Sequence, residues 1–261
     1  MRLARAAAAA VAALLLVGCG AADTVDIDPP TTAGDGAVTT SPAGADVAGS
    51  DTAAPSAEPG SCGWRHVNPE EPISGDLFAD CVVDATILAG TAMMDSTTST
   101  GISSSGPVTF RDPISVHLTG EPSGIEIIVV GEQGWLFNPE GGGWVASDPN
   151  GDPRQQMAHS TVMTYAATAD PDVIRALLAT AEEWTPTGAD TIGGSIVQGY
   201  SGTPVQEGVT YDNFIVWITE DDLPMRYDQG GTGYGGYAFT SQLDFTAYGE
   251  PVEIGPPADA A

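Results

Sequence analysis

An α+β fold is predicted, with an antiparallel sheet and its helices gathered on one side. Three observations predict it. Short stretches of alternating apolar and polar residues follow one another from Thr91 onward, joined by short turns that suit antiparallel neighbours. Two segments, opening at Ser74 and at Asp170, carry helix-start signals followed by apolar residues at helical spacing. The stretch from residue 61 onward is about 200 residues, enough for one domain with a substantial core.

Residues 1–18 form a separate element. Arg2 and Arg5 precede an apolar run, Ala6 to Val17, that is too short to cross a ~30 Å hydrocarbon core comfortably. A basic start followed by a short apolar run is the pattern of an export signal. The run closes on Leu16-Val17-Gly18-Cys19, which looks like a bacterial lipobox, so Cys19 is expected to be acylated and to become the anchor. Residues 19–60 then change character. Ala, Gly, Thr, Pro, Ser and Asp dominate, no aromatic residue occurs, and Asp23, Asp26, Asp28, Asp35, Asp46, Asp51 and Glu58 face no base. Such a stretch cannot bury enough apolar surface to offset its ordering entropy. It is expected to be a disordered acidic tether spanning roughly 35 Å r.m.s..

In the folded part, 61–256, Ser74 can cap the first helix and Ile73 can staple onto Phe78. Leu77, Cys81, Val82, Ala85 and Leu88 form its stripe, and Gly90 stops it. Ser96 to Gly106 is polar and half-exposed in character, and Val108 and Phe110 alternate with polar neighbours. Gly124 to Val130 is the strongest strand. Glu126 marks its solvent side, so Ile125, Ile127 and Val129 should point inward. Gly131 to Gly134 turns the chain, Trp135-Leu136-Phe137 returns, and Gly143-Trp144-Val145 returns again. Residues 153–169 are ambiguous, although Met157, Thr161 and Tyr165 would suit one helix face. Asp170 caps the second helix and Pro171 takes its first position. Ile174, Leu177, Leu178 and Ala181 are its stripe, and Thr185-Pro186 should end it. Ile192 to Tyr200 and Asn213 to Thr219 are strands. Tyr237, Phe239, Leu243 and Phe245 sit at even spacing on a long last strand. Residues 257–261 are a flexible tail.

The three cysteines resolve by compartment. Cys19 goes to lipid, and an extracytoplasmic location permits a disulfide between Cys62 and Cys81. Such a bridge would contribute on the order of 3 kcal/mol. Two buried thiols are the alternative. The formal net charge is −28, and all seven cationic residues are arginines. That balance argues against nucleic acid, which needs Lys and Arg against phosphate, and against a polybasic membrane contact.

Several segments together resemble the actinobacterial lipoproteins of the LolA-like superfamily, the LppX/LprG type. They are the first helix ending Ala89-Gly90-Thr91, then IIVVGEQGWLF, GGGWVAS, DPDVIRALLATAEEWTPTGADTIGGSIVQGY, FIVWITEDDLPMRYD with Leu223, Pro224 and Arg226, and the closing AYGEPVEIGPP. The resemblance implies a curved antiparallel sheet forming an incomplete barrel packed over two or more helices. It also implies an apolar cavity for a lipid or glycolipid. Alternation nominates Ile125, Ile127, Val129, Phe214, Val216 and Ile218 as cavity lining, with Phe239 and Phe245 behind them. A one-residue slip of register would invert that choice.

Signals for catalysis are thin. His66, His117 and His159 are the three histidines, and neither a Gly-x-Ser-x-Gly elbow nor an H-E-x-x-H helix occurs. Asp148 to Asp152 resembles the first half of a calcium loop, but Pro153 stands where such loops need glycine. A polar turn is the reading taken. The chain is thus expected to be a monomeric, lipid-anchored protein on the extracytoplasmic face of the cell membrane, not an enzyme, with no cofactor and no metal. It would bind, and by extension carry, an amphipathic ligand. The competing reading is an interaction or signalling module with a filled core.

Overall fold

The computed structural model describes residues 71–259 with the exception of 207, 234 and 235. These residues fall within one compact unit. The export signal, Cys19, the tether and Cys62 lie outside the described residues.

The chain order is β1 (Ile73–Ser74), α1 (Gly75–Ala89), β2 (Thr91–Thr98), β3 (Ser103–Thr109), β4 (Ser115–Glu121), β5 (Glu126–Val130), β6 (Gln133–Asn138) and β7 (Gly143–Ala146). Two helices follow, α2 (Pro153–Ala169) and α3 (Pro171–Ala179). Then come β8 (Glu183–Ile192), β9 (Ser195–Ser201), β10 (Val205–Gln206), β11 (Val209–Ile218), β12 (Pro224–Thr232) and β13 (Ala238–Thr246). All thirteen strands join one sheet, and every pairing is antiparallel. Its order is β1-β8-β9-β11-β12-β13-β2-β3-β4-β5-β6-β7, with β10 paired to β11. The path has two ends, so the sheet is an incomplete barrel of the expected α+β class.

The sheet consists of two meanders. β2 to β7 form one, β8 to β13 the other, and the seam between them is the pairing of β13 with β2, in which Phe245 faces Met94 and Leu243 faces Ser96. The helices lie on the inner face. α2 covers β4 to β7, while α1 packs on α3 and on β1, β2 and β8. Gly134 on β6 is where α2 comes closest, and a Cβ there would run into Val162.

An aromatic path fills the interior between helices and sheet. Phe78 of α1 stacks on Trp184 at 4.6 Å between ring centroids. Trp184 meets Phe214 edge-on, Phe214 meets Tyr227, and Tyr227 meets Phe245. Edge-to-face geometry sets the positive rim of one ring against the negative face of the next. Ile73 joins Phe78 in this core, as the staple expectation required.

Several expectations are corrected. Ser74 stands at the N-cap of α1 but makes no side-chain capping bond. It is instead paired in β1 with Glu183. Leu77 and Leu88, expected on the buried stripe, are exposed, while Cys81, Val82 and Ala85 are buried. Gly90 does stop the helix, at φ 83°, with its amide donating to the Thr86 carbonyl. Residues 153–169 are helical throughout, yet the buried face carries Ala158 and Val162, and Met157 points outward. Thr185-Pro186 does not end α3. The helix stops at Ala179, and both residues lie inside β8, opposite Ser201 and Tyr200. Gly230 is a strand residue of β12.

Candidate functional site

The apolar cavity of this fold lies between α3 and the inner face of the sheet, at the seam where the two meanders meet. Its helix wall is Val173, Ile174, Leu177 and Leu178 of α3, with Ala167 and Thr168 from the end of α2. α3 starts where the sequence indicates. Asp170 accepts a hydrogen bond from the Asp172 amide at 2.9 Å, and Pro171 occupies the first turn. The far side of α3 is held by Arg175, whose guanidinium bridges Asp80 and Asp84 one turn apart on α1. Hydrogen bonding to these two carboxylates raises its pKa, against an opposing effect of burial.

The sheet wall comes from β11, β12, β13 and β2. Phe214 faces Gln229, Gln229 faces Ser241, Tyr227 faces Leu243, and Leu243 faces Ser96. Those six side chains and Tyr211 complete the lining. The free volume is about 60 Å³, room for a few water molecules. No side chain of the lining carries a formal charge at neutral pH.

The lining residues nominated from the sequence are distributed as follows. Phe214 borders the cavity. Val216, Ile218 and Phe245 are fully buried in the main core, and Ile127 and Val129 are buried there under α2. Ile125 and Phe239 are half-buried against the same core. Ile128, on the opposite face to Ile127, is buried too, so both faces of β5 are covered. What the sequence reading missed is the α3 wall as a lining element, together with Tyr227, Gln229 and Ser241. β12 went unread because its glycines and its Leu-Pro entry look like a turn.

The polar clusters are engaged with the backbone. Asp152 accepts from the amides of Arg154 and Gln155 at 2.9 and 3.0 Å, and Gln155 Oε1 accepts from the Asp152 amide, which makes a capping box at the start of α2. Asp148 accepts from the Asn150 amide. Pro153, which spoiled the calcium loop, is thus a first-turn helix residue. Among the described residues no His, Cys, Asp and Glu group could hold a metal ion. His159 contacts Ser147 Oγ at 3.0 Å through Nδ1 and ties α2 to the end of β7. Among the described residues no carboxylate orients its ring.

No protein-family model matches the chain, and no curated protein matches it significantly. The expected likeness to LppX-type and LolA-like proteins is found among solved structures. The lipoprotein LppX of Mycobacterium tuberculosis is 15% identical, with 69% of this chain and 98% of that chain covered at a TM-score of 0.48. LprF of Mycobacterium bovis is 14% identical, covering 70% and 97% at 0.46. A LolA superfamily protein of Nitrosomonas europaea is 10% identical, covering 69% and 96% at 0.28. At these identities and scores they stand as likenesses alone. The functional reading rests on this chain's own residues.

Proposed function

We propose that this chain is a lipid-anchored extracytoplasmic binding protein, not an enzyme, which takes up a lipid or other amphipathic molecule between α3 and the curved sheet and by extension carries it. The observation that carries the reading is the apolar cavity and the nature of its helix wall. Drug-sized ligands occupy about 300–1,000 Å³, so the 60 Å³ present must widen for a chain to enter. α3 is the wall suited to move. It has nine residues, and only Pro171 and Leu178 among them are buried. Elements with little buried apolar surface open at low cost. Each CH₂ then taken from water gains about 0.8 kcal/mol, so part of an acyl chain suffices for useful affinity.

The domain organisation belongs to the same proposal: signal 1–18, acylated Cys19 with an acidic tether to residue 60, a binding domain over 61–256, a tail over 257–261, and a monomeric state. So does the Cys62–Cys81 bridge. Cys81 is buried on α1 and is not without a partner, which supports the pairing. Non-reducing peptide mapping of exported protein tests it.

The filled interior favours a second reading. Val216, Ile218 and Phe245 close the space beneath the sheet, and a protein with this core could serve as an envelope interaction module. The deciding experiment is native mass spectrometry, with organic extraction, of protein purified from its own envelope. Co-purifying lipid is expected, and Ile174→Trp, which fills the cavity from α3, should abolish it. A lipid-free protein that also fails to bind fluorescent acyl probes would leave the interaction module.

A further inference from the structure

The two walls of the cavity differ in chemistry. The α3 wall offers only carbon. The sheet wall carries a short polar band, with Gln229 directly opposite Ser241 and Ser96 diagonal to Ser241 across the β13–β2 seam. The hydrogen-bonding capacity of this band is only partly used. Ser241 Oγ donates to Gln229 Oε1 at a long 3.5 Å. The amide protons of Gln229 have no acceptor among the described residues. Ser96 is 8% exposed and borders the cavity, and its hydroxyl has no hydrogen-bond partner among the described residues. Gln229 is half-buried, and these polar atoms are reached from the cavity rather than sealed off from solvent, so an acceptor delivered by a ligand would take the place of water as their partner.

Charge narrows what the acceptor can be. All four described arginines are held elsewhere. Arg111 donates to the carbonyls of Ile87 and Leu88, Arg154 to that of Gly141, Arg175 to Asp80 and Asp84, and Arg226 to Asp244. Burying a carboxylate or phosphate with no cation to meet it is strongly unfavourable. A neutral carbonyl that accepts two hydrogen bonds incurs no such penalty.

We propose that Ser96, Gln229 and Ser241 form a subsite for an uncharged hydrogen-bond acceptor, an ester or amide carbonyl, on an acyl ligand whose chain lies against α3. This rests on the lipid-binding reading and adds to it a choice of head chemistry: esterified or amidated acyl chains are taken, and free fatty carboxylates and anionic heads are refused. The polar band is set on three sheet strands, whose positions are fixed by neighbours on both sides, so it stays in place when α3 shifts.

The test uses the full exported chain and three competitors of equal length against a fluorescent acyl probe: a long-chain methyl ester, the corresponding carboxylate at neutral pH, and the alkane. The ester should bind about tenfold more tightly than either of the others. Ser96→Val and Gln229→Leu should each remove most of that advantage, bringing the ester and the alkane to similar affinity. Ser96→Ala serves the same purpose if the valine disturbs β2, and the ranking of the three competitors on the unaltered chain decides the matter even if every variant misfolds. Equal affinity for ester and carboxylate, or an ester advantage untouched by the substitutions, overturns the subsite and leaves lipid binding standing. Failure of all three competitors and of the probe to bind overturns both.

Discussion

Burial lifts the Tyr211 phenol from 10.0 to about 12. It raises Tyr227 further, and raises Tyr248 with a smaller contribution from the nearby Tyr227. Each is an acid whose charged form is disfavoured in the folded state, so the folded protein keeps protons that the unfolded chain releases. The stabilisation is fully present below pH 10 and is lost as the pH rises through the folded values. Stability should therefore be flat toward neutral pH and fall steeply from about pH 10 to about pH 12, by about 1.4 kcal/mol per pH unit for each such tyrosine. Urea unfolding followed by circular dichroism across that range checks the slope. Phenolate absorbance should rise together with unfolding, and ordinary phenol titration of these rings in a folded protein would contradict the assignment. At this scale the sequence was informative about identity and poor about surroundings. Tyr227 sits in PMRYDQGG, beside Asp228 and two glycines, and only pairing with β11 and β13 puts it inside.

Among the elements, α3 is the one on which the proposed function rests. Its capping by Asp170 and Pro171 was legible because caps are local. Its end was not. Proline at 186 suggests a helix stop, but this position lies on β8 beyond the two residues paired with β1, where a missing amide proton costs no ladder bond on that side. α2 was ambiguous because its face is built from Ala158, Val162 and Thr164, a stripe too weakly apolar to stand out. The link of α3 to α1 through Arg175 depends on residues about ninety apart and has no sequence signal. Asp80 and Asp84 are about 60% exposed on their side chains, so solvent screens the pair. Arg175→Ala should cost only about 1 kcal/mol or less in urea unfolding. Its larger effect should be on access: acyl-probe association should accelerate severalfold, with raised salt doing the same to the unaltered protein. An unchanged rate would mean that α3 is not the moving wall.

For the molecule as a whole, the most legible feature was its class, and the compartment rests on a prediction at Cys19. Cys19→Ser should release the protein from membranes or leave an uncleaved precursor, and an unacylated, soluble mature wild-type chain in mass spectrometry would refute the anchor. The class could be read because alternation and short turns are period-level signals that survive local errors. The cavity could not be read with the same sharpness, since alternation says which residues leave a strand on the same side and not what stands opposite. Phe214 and Val216 share a face of β11; one meets the cavity and the other the core.

The seam between β13 and β2 has a kinetic consequence. Each meander is built from neighbouring strands and can form from local contacts, but the seam joins Met93–Thr98 to Ser241–Thr246, among the longest loop closures in the molecule. Contacts so far apart in sequence slow folding because the closure entropy must be met before the contacts repay it. A chain emerging N-terminus first can assemble β2 to β7 and α2, yet it cannot close its sheet until the last strand arrives. Until then β2 exposes an unpaired edge, with Met94 and Ser96 awaiting their neighbours. The sheet wall of the cavity is thus the last part of the protein to come into being.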